Sequence, residues 1–125
     1  MTPQTPAEIV DAFIAAVEAK DLDLALTYVT DDIEYDNVPM GKVFGPDGVR
    51  SILGPMVEHA TEVKWTTHRS AAEGDLVFTE RTDHFALPTG PLDIAVAGLF
   101  EIRDGKIALW RDYFDMAEVA KAMGG

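Results

Sequence analysis

The chain contains no cysteine, which excludes disulfides, thiolate metal sites and thiol nucleophiles. Basic residues are scarce: 10 Lys and Arg stand against 22 Asp and Glu, for a formal charge of -12. A field of that sign opposes a polyphosphate or an anionic bilayer, so neither nucleic acid nor membrane is an expected partner. Long apolar runs are lacking too, since a membrane helix needs ~20 such residues in succession. No basic segment followed by an apolar stretch opens the chain, and the expected location is cytoplasmic. With 125 residues there is no room for two ordinary domains, so one domain spanning 1–125 is expected. Repeats, linkers and low-complexity segments are missing. What remains is a foldable composition, 47% hydrophobic and 26% charged, so the acidity does not signal disorder.

Helical signals come first. Thr5-Pro6-Ala7-Glu8 has the form of a capping box with proline at the first helical position, and Ile9, Val10, Phe13, Ile14 and Val17 recur on one face. The pattern predicts a helix from about Pro6 to Lys20. Leu22, Ala25, Leu26 and Val29 predict a shorter one, stopping near Thr30 to Asp32 and forming a helical hairpin with the first. Ile33 to Val38 alternates as a half-buried strand, Pro39 to Pro46 reads as a loop, and a third helix is expected from Pro46 to His59, kinked at Gly54-Pro55. Four long strand-like runs follow: Glu62 to Ala71, Asp75 to Leu87, Leu92 to Arg103 and Lys106 to Phe114, separated by turn residues. They predict an antiparallel meander. Asp115 is placed to cap a last helix, Met116 to Met123, ended by Gly124-Gly125. The order predicts an α+β fold whose long, curled, mainly antiparallel sheet makes a cone-shaped barrel plugged by the N-terminal helices, with an interior pocket.

Polar residues interrupt the strand faces that should be apolar. Tyr35 and Asn37 share a face with Ile33, opposite the acids Glu34 and Asp36. Arg81 and Asp83 share a face with Val77, Phe85 and Leu87. Asp112 lies between Trp110 and Phe114, although Ile107, Leu109, Arg111 and Tyr113 form an equally mixed rival face. Taken singly, each has a plain structural reading as a surface pair, a solvated acid or a strand-end residue. Their joint occurrence points to a site, because buried polar groups cost desolvation and require partners.

These positions fall into Tyr35-Asp36-Asn37, Glu80-Arg81-Thr82-Asp83 and Trp110-Arg111-Asp112-Tyr113-Phe114-Asp115, and over nearly its whole length the chain resembles the limonene-1,2-epoxide hydrolase family of the nuclear-transport-factor-2-like superfamily. The resemblance implies a one-step hydrolysis without a covalent intermediate and without a cofactor. Asp112 would be the general base, Tyr35 and Asn37 would hold the water, Asp83 would be the general acid and Arg81 would sit between the two aspartates. It also implies a small apolar epoxide and water as partners, and a homodimer formed by sheet packing. Opening an epoxide needs two carboxyl groups in opposite protonation states, so Asp83 must keep a proton that a free aspartate, of pKa ~3.9, would release. In a meander the two strands are two apart, roughly 10 Å on a flat sheet. The five donors of Arg81 are suited to span that gap.

The expected pocket walls are Met40, Leu53, Met56, Trp65, Phe85, Leu99, Phe114 and Met116, apolar and adaptable enough for a cycloalkene or terpene-like epoxide. His59, His68 and His84 lack the spacing of most metal sites and read as surface or hydrogen-bonding residues, so no metal is expected. Two other readings stay open: an isomerase like ketosteroid isomerase or a polyketide-cyclase-like enzyme, neither of which requires an arginine between two acids, and a non-catalytic ligand-binding module on the same fold.

Overall fold

The computed structural model describes residues 4–122. Helix α1 (Pro6–Glu18) begins with the expected capping box: the Thr5 hydroxyl accepts the Glu8 N–H at 3.2 Å and the Glu8 carboxylate accepts the Thr5 N–H at 2.8 Å. It ends two residues before the expected Lys20. Lys20 adopts φ 61°, and the Lys20 and Asp21 amides bond back to Val17 and Ala16 as in a Schellman turn. The second helix is also shorter than its apolar pattern suggests. Helix α2 (Leu22–Ala25) passes into a single 3-10 turn, Leu26–Tyr28, and strand β1 (Val29–Asn37) starts at once.

The segment expected as a loop holds a short strand, β2 (Gly41–Phe44), which forms a hairpin with β1, pairing Asn37 with Gly41 and Tyr35 with Val43. Four residues with no buried side chain leave too little alternation to detect. Helix α3 (Gly45–His59) runs through Pro55 without a break. The meander follows: β3 (Val63–Glu73), β4 (Leu76–Leu87), β5 (Gly90–Arg103) and β6 (Lys106–Tyr113), each antiparallel to the next. Helix α4 (Met116–Ala122) is capped by the Asp115 carboxylate on the Ala117 N–H at 2.8 Å, whereas its expected end at Met123 and the glycine pair lies outside the described residues. None of the described helices is long and apolar enough to cross a membrane.

The sheet order is β2-β1-β6-β5-β4-β3, with β1 parallel to β6. It is open rather than a closed barrel, and α1 packs against β3, β4, β5 and β6 while α3 packs against β1, β2 and β4. The core sits between those helices and one sheet face, where Phe13, Val17, Ile33, Val49, Phe100, Ile107 and Trp110 are fully buried. Two details of the sheet matter for the site. At the end of α1, the Glu18 carboxylate accepts the Trp65 backbone N–H at 2.9 Å, closing part of the β3 edge. On β6, Leu109 faces Glu101 and Ile107 faces Ile102, which leaves Ala108 as an extra, unpaired residue. That bulge turns Ile107, Trp110 and Asp112 to the core together, and so removes the ambiguity between the two faces of this strand.

Candidate active site

Cross-strand register assembles the polar residues. In the parallel β1–β6 pair, Tyr35 stands beside Trp110 and Asn37 beside Asp112. Across β4, β5 and β6, Thr79 faces Gly98 and Gly98 faces Asp112, while Arg81 and Asp83 face Val96 and Ile94. Arg81 therefore has to cross β5 to reach Asp112. It does so over Gly98, where a Cβ would lie 2.4 Å from Arg81 Nη1 and 2.8 Å from Asp112 Oδ1. The missing side chain is the space that the guanidinium occupies.

Arg81 uses its whole donor set. Nε and Nη2 donate to the two oxygens of Asp83 at 3.0 and 2.9 Å; Nη2 also donates to Asp112 Oδ2 at 3.0 Å. Nη1 donates to Thr79 Oγ1 at 3.0 Å and reaches Asp112 Oδ1 at 3.4 Å. The guanidinium is fully buried, between the rings of Trp65 and Phe100, whose centroids lie 5.3 and 5.9 Å from Cζ. Asp112 Oδ1 accepts a further bond from the Trp110 indole N–H at 2.9 Å.

The electrostatics follow from one cation facing two acids out of water. Burial opposes the Arg81 charge, but Asp112 and Asp83 outweigh it and hold the guanidinium charged, above its usual range. Burial raises Asp83 above the ordinary carboxylate value; the Arg81 bonds pull the other way without cancelling it, and the charges of Asp112 and Glu18 add to the rise. Arg81 with one ionised acid is neutral, and ionising both would leave a net negative charge in the core. Burial, then the negative charge of Asp112, also raises Tyr35, which stays a neutral phenol able to donate and accept.

These groups meet the wall of a cavity of about 180 Å³ with a mostly apolar lining. Tyr35, Asn37, Asp83 and Asp112 all line it, and Arg81 lies behind them. Of the expected walls, Met40, Leu53, Met56, Trp65, Phe85 and Phe114 line it, whereas Leu99 and Met116 do not. Leu99 belongs to the outer face of β5, opposite Phe78 and Arg111, because strand alternation gives the inner face to Ile94, Val96 and Gly98. Met116 opens α4, and Val119 reaches the cavity from the next turn. Ser51, Ile52, Ile94, Val96 and Val119 complete the lining and were not singled out from sequence. For Ile94 and Val96 the inward direction comes from the register of β5 against β4 and β6. The three histidines lie away from this cavity, against Pro55 O, Thr82 Oγ1 and Asp93 respectively, and no His, Asp and Glu cluster among the described residues is arranged to hold a metal.

A curved α+β sheet, helices over one face and a buried Arg-bridged acid pair at an apolar cavity define a small nuclear-transport-factor-2-like protein with an enzyme-like site. The limonene-1,2-epoxide hydrolase catalytic domain model matches residues 4–124, and the chain belongs to that family. It is 40% identical over 117 residues to epoxide hydrolase EphG of Mycobacterium tuberculosis, covering 91% of this chain and 76% of that protein. Among solved structures, an LEH-like epoxide hydrolase from M. tuberculosis superposes with a TM-score of 0.81 at 33% identity, over 94% of this chain and 87% of that one. A SnoaL-like polyketide cyclase from Shewanella denitrificans gives 0.84 at 14% identity, over 95% and 96% of the two chains; that likeness is one of fold.

Proposed function

We propose that this member of the epoxide hydrolase family adds water in one step to a cyclic or terpene-like epoxide, giving a vicinal diol without a cofactor. The carrying observation is Arg81 joined at 2.9 to 3.0 Å to two buried carboxyl groups that both face an apolar cavity. In the proposed step Asp112 takes a proton from water held by Tyr35 and Asn37. The water oxygen bonds to one epoxide carbon as that carbon's bond to the ring oxygen breaks, and Asp83 gives its proton to the departing oxygen. One proton enters the acid pair and one leaves, so its charge is unchanged. Burial supports this allocation, since Asp83 is raised toward the protonated form that a general acid needs.

The test is turnover of limonene oxide and cyclohexene oxide in oxygen-18 water under single-turnover conditions. Label in the diol and none in the protein is expected. Label in an aspartate would mean a covalent intermediate instead.

The same reading includes a homodimer through the outer sheet face. Phe78 and Tyr113 are each 49% exposed there and flank Leu99 and Ala97, an apolar surface that a second copy would cover. Sedimentation should give twice the chain mass, and Phe78→Glu should shift it to monomer.

A further inference from the structure

Trp110 does not line the cavity, yet it contacts two of the groups that do. Its indole N–H donates to Asp112 Oδ1 at 2.9 Å, and its ring stacks on Tyr35 with centroids 3.9 Å apart and planes 6° from parallel. Phe13, Trp65 and Phe100 pack around it at 5.1, 5.9 and 5.8 Å, so the indole itself has little freedom. Each carboxylate oxygen offers about two lone-pair sites. Oδ1 of Asp112 fills both, with Trp110 Nε1 and the longer Arg81 Nη1 contact at 3.4 Å. Oδ2 fills one, with Arg81 Nη2 at 3.0 Å.

We infer that Trp110 is a positioning residue that assigns the base function of Asp112 to Oδ2, by saturating Oδ1 and holding the Tyr35 ring in register with it. This rests on the hydrolase reading above. The second side-chain torsion of aspartate is broad, so the plane of the carboxylate tilts easily unless hydrogen bonds fix it. Arg81 touches both oxygens and distinguishes them weakly. The indole N–H touches one. Without it the carboxylate is held by Arg81 alone and tilts more widely, so the orientation that presents an open lone pair to the water is populated less often. Because the indole lies outside the cavity, its loss should lower kcat and leave KM in place.

The test replaces the N–H alone. Trp110→benzothienylalanine, placed site-specifically, keeps the bicyclic ring and removes the donor; Trp110→Phe is the natural-residue counterpart. The benzothienyl variant should melt as the wild type does and lose about 10- to 100-fold in kcat on cyclohexene oxide, the scale of one hydrogen bond to a charged group. KM should change less than about two-fold, as uniform binding is untouched. A wild-type kcat in that variant overturns the proposal, whether or not Trp110→Phe folds. A readout independent of turnover is the pair of indole proton resonances. Asp112→Asn should shift that of Trp110 and leave that of Trp65, whose buried N–H meets no partner among the described residues. An unmoved Trp110 resonance overturns the contact even if epoxides are hydrolysed. A moved resonance in a protein that hydrolyses none of the epoxides overturns the base assignment together with the hydrolase reading, and leaves the contact standing.

Discussion

Two arginine–carboxylate triads lie back to back on this sheet. On the inner face Arg81 joins Asp83 and Asp112, with side-chain exposures of 0, 6 and 5%. On the outer face Arg111, the residue before Asp112, donates to Asp36 at 3.0 Å and Glu34 at 2.8 Å, with exposures of 28, 12 and 26% for Arg111, Asp36 and Glu34. The functional groups are the same, and both arginines are held charged by their acids. The outer triad ties β1 to its parallel neighbour β6 and carries Lys42 nearby at 3.6 Å from Glu34. The inner one lies out of water at an apolar cavity, and there burial raises Asp83. What sets the inner triad apart is therefore the burial that raises Asp83, and not the presence of an arginine between two acids.

Substitutions that break the inner triad should have the largest effects. Asp83→Asn is expected to lower kcat by about 100- to 10,000-fold, the range for a lost general acid, as measured by diol formation. It should also change the pH dependence of stability. A raised carboxyl keeps its proton in the native state after the unfolded chain, at ~3.9, has released it, so native stability falls as pH rises from there through the raised value. Asparagine carries no such penalty. Its advantage over the wild type in thermal melts should be absent below the ordinary carboxylate pKa, grow with pH through that interval, and then level off.

Arg81→Lys comes next. A single ammonium cannot reproduce two parallel bonds to Asp83 together with a bond to Asp112, and kcat should fall by about 100-fold or more. Unchanged activity on the true substrate would favour the isomerase- or cyclase-like reading. Gly98→Ala tests the space under the guanidinium: a Cβ 2.4 Å from Nη1 forces Arg81 to move. Strain of that kind costs about 1–3 kcal/mol in denaturant melts, and the displaced fork should lower kcat by about 10-fold or more. The smallest effect belongs to the outer triad. Arg111→Gln should cost at most about 1 kcal/mol, less at high salt, and leave kcat as it was.

Much of this was legible in the sequence, and the gaps have physical causes. Tyr35 and Asn37 were readable because Glu34 and Asp36 mark the opposite face of β1, and the Arg-x-Asp face of β4 because Val77 and Phe85 flank it. Asp112 was ambiguous by periodicity, since the bulge at Ala108 breaks the alternation of β6. Leu99, expected in the pocket, faces outward: Ala95, Ala97 and Leu99 make the second face of β5 apolar as well, and only pairing with β4 and β6 says which face is inward. Gly98 and Thr79 carry no chemical signal of their own. Their function is defined by what crosses them, and that is a property of register across three strands.

The most direct test of burial as the cause is a carbon-13 NMR titration of the Asp83 carboxyl in the wild-type protein. The account predicts that Asp83 titrates above the ordinary carboxylate range and still carries its proton where exposed acids of the same chain have lost theirs. Titration with those exposed acids would contradict it, and would leave the inner triad no different in kind from the outer one.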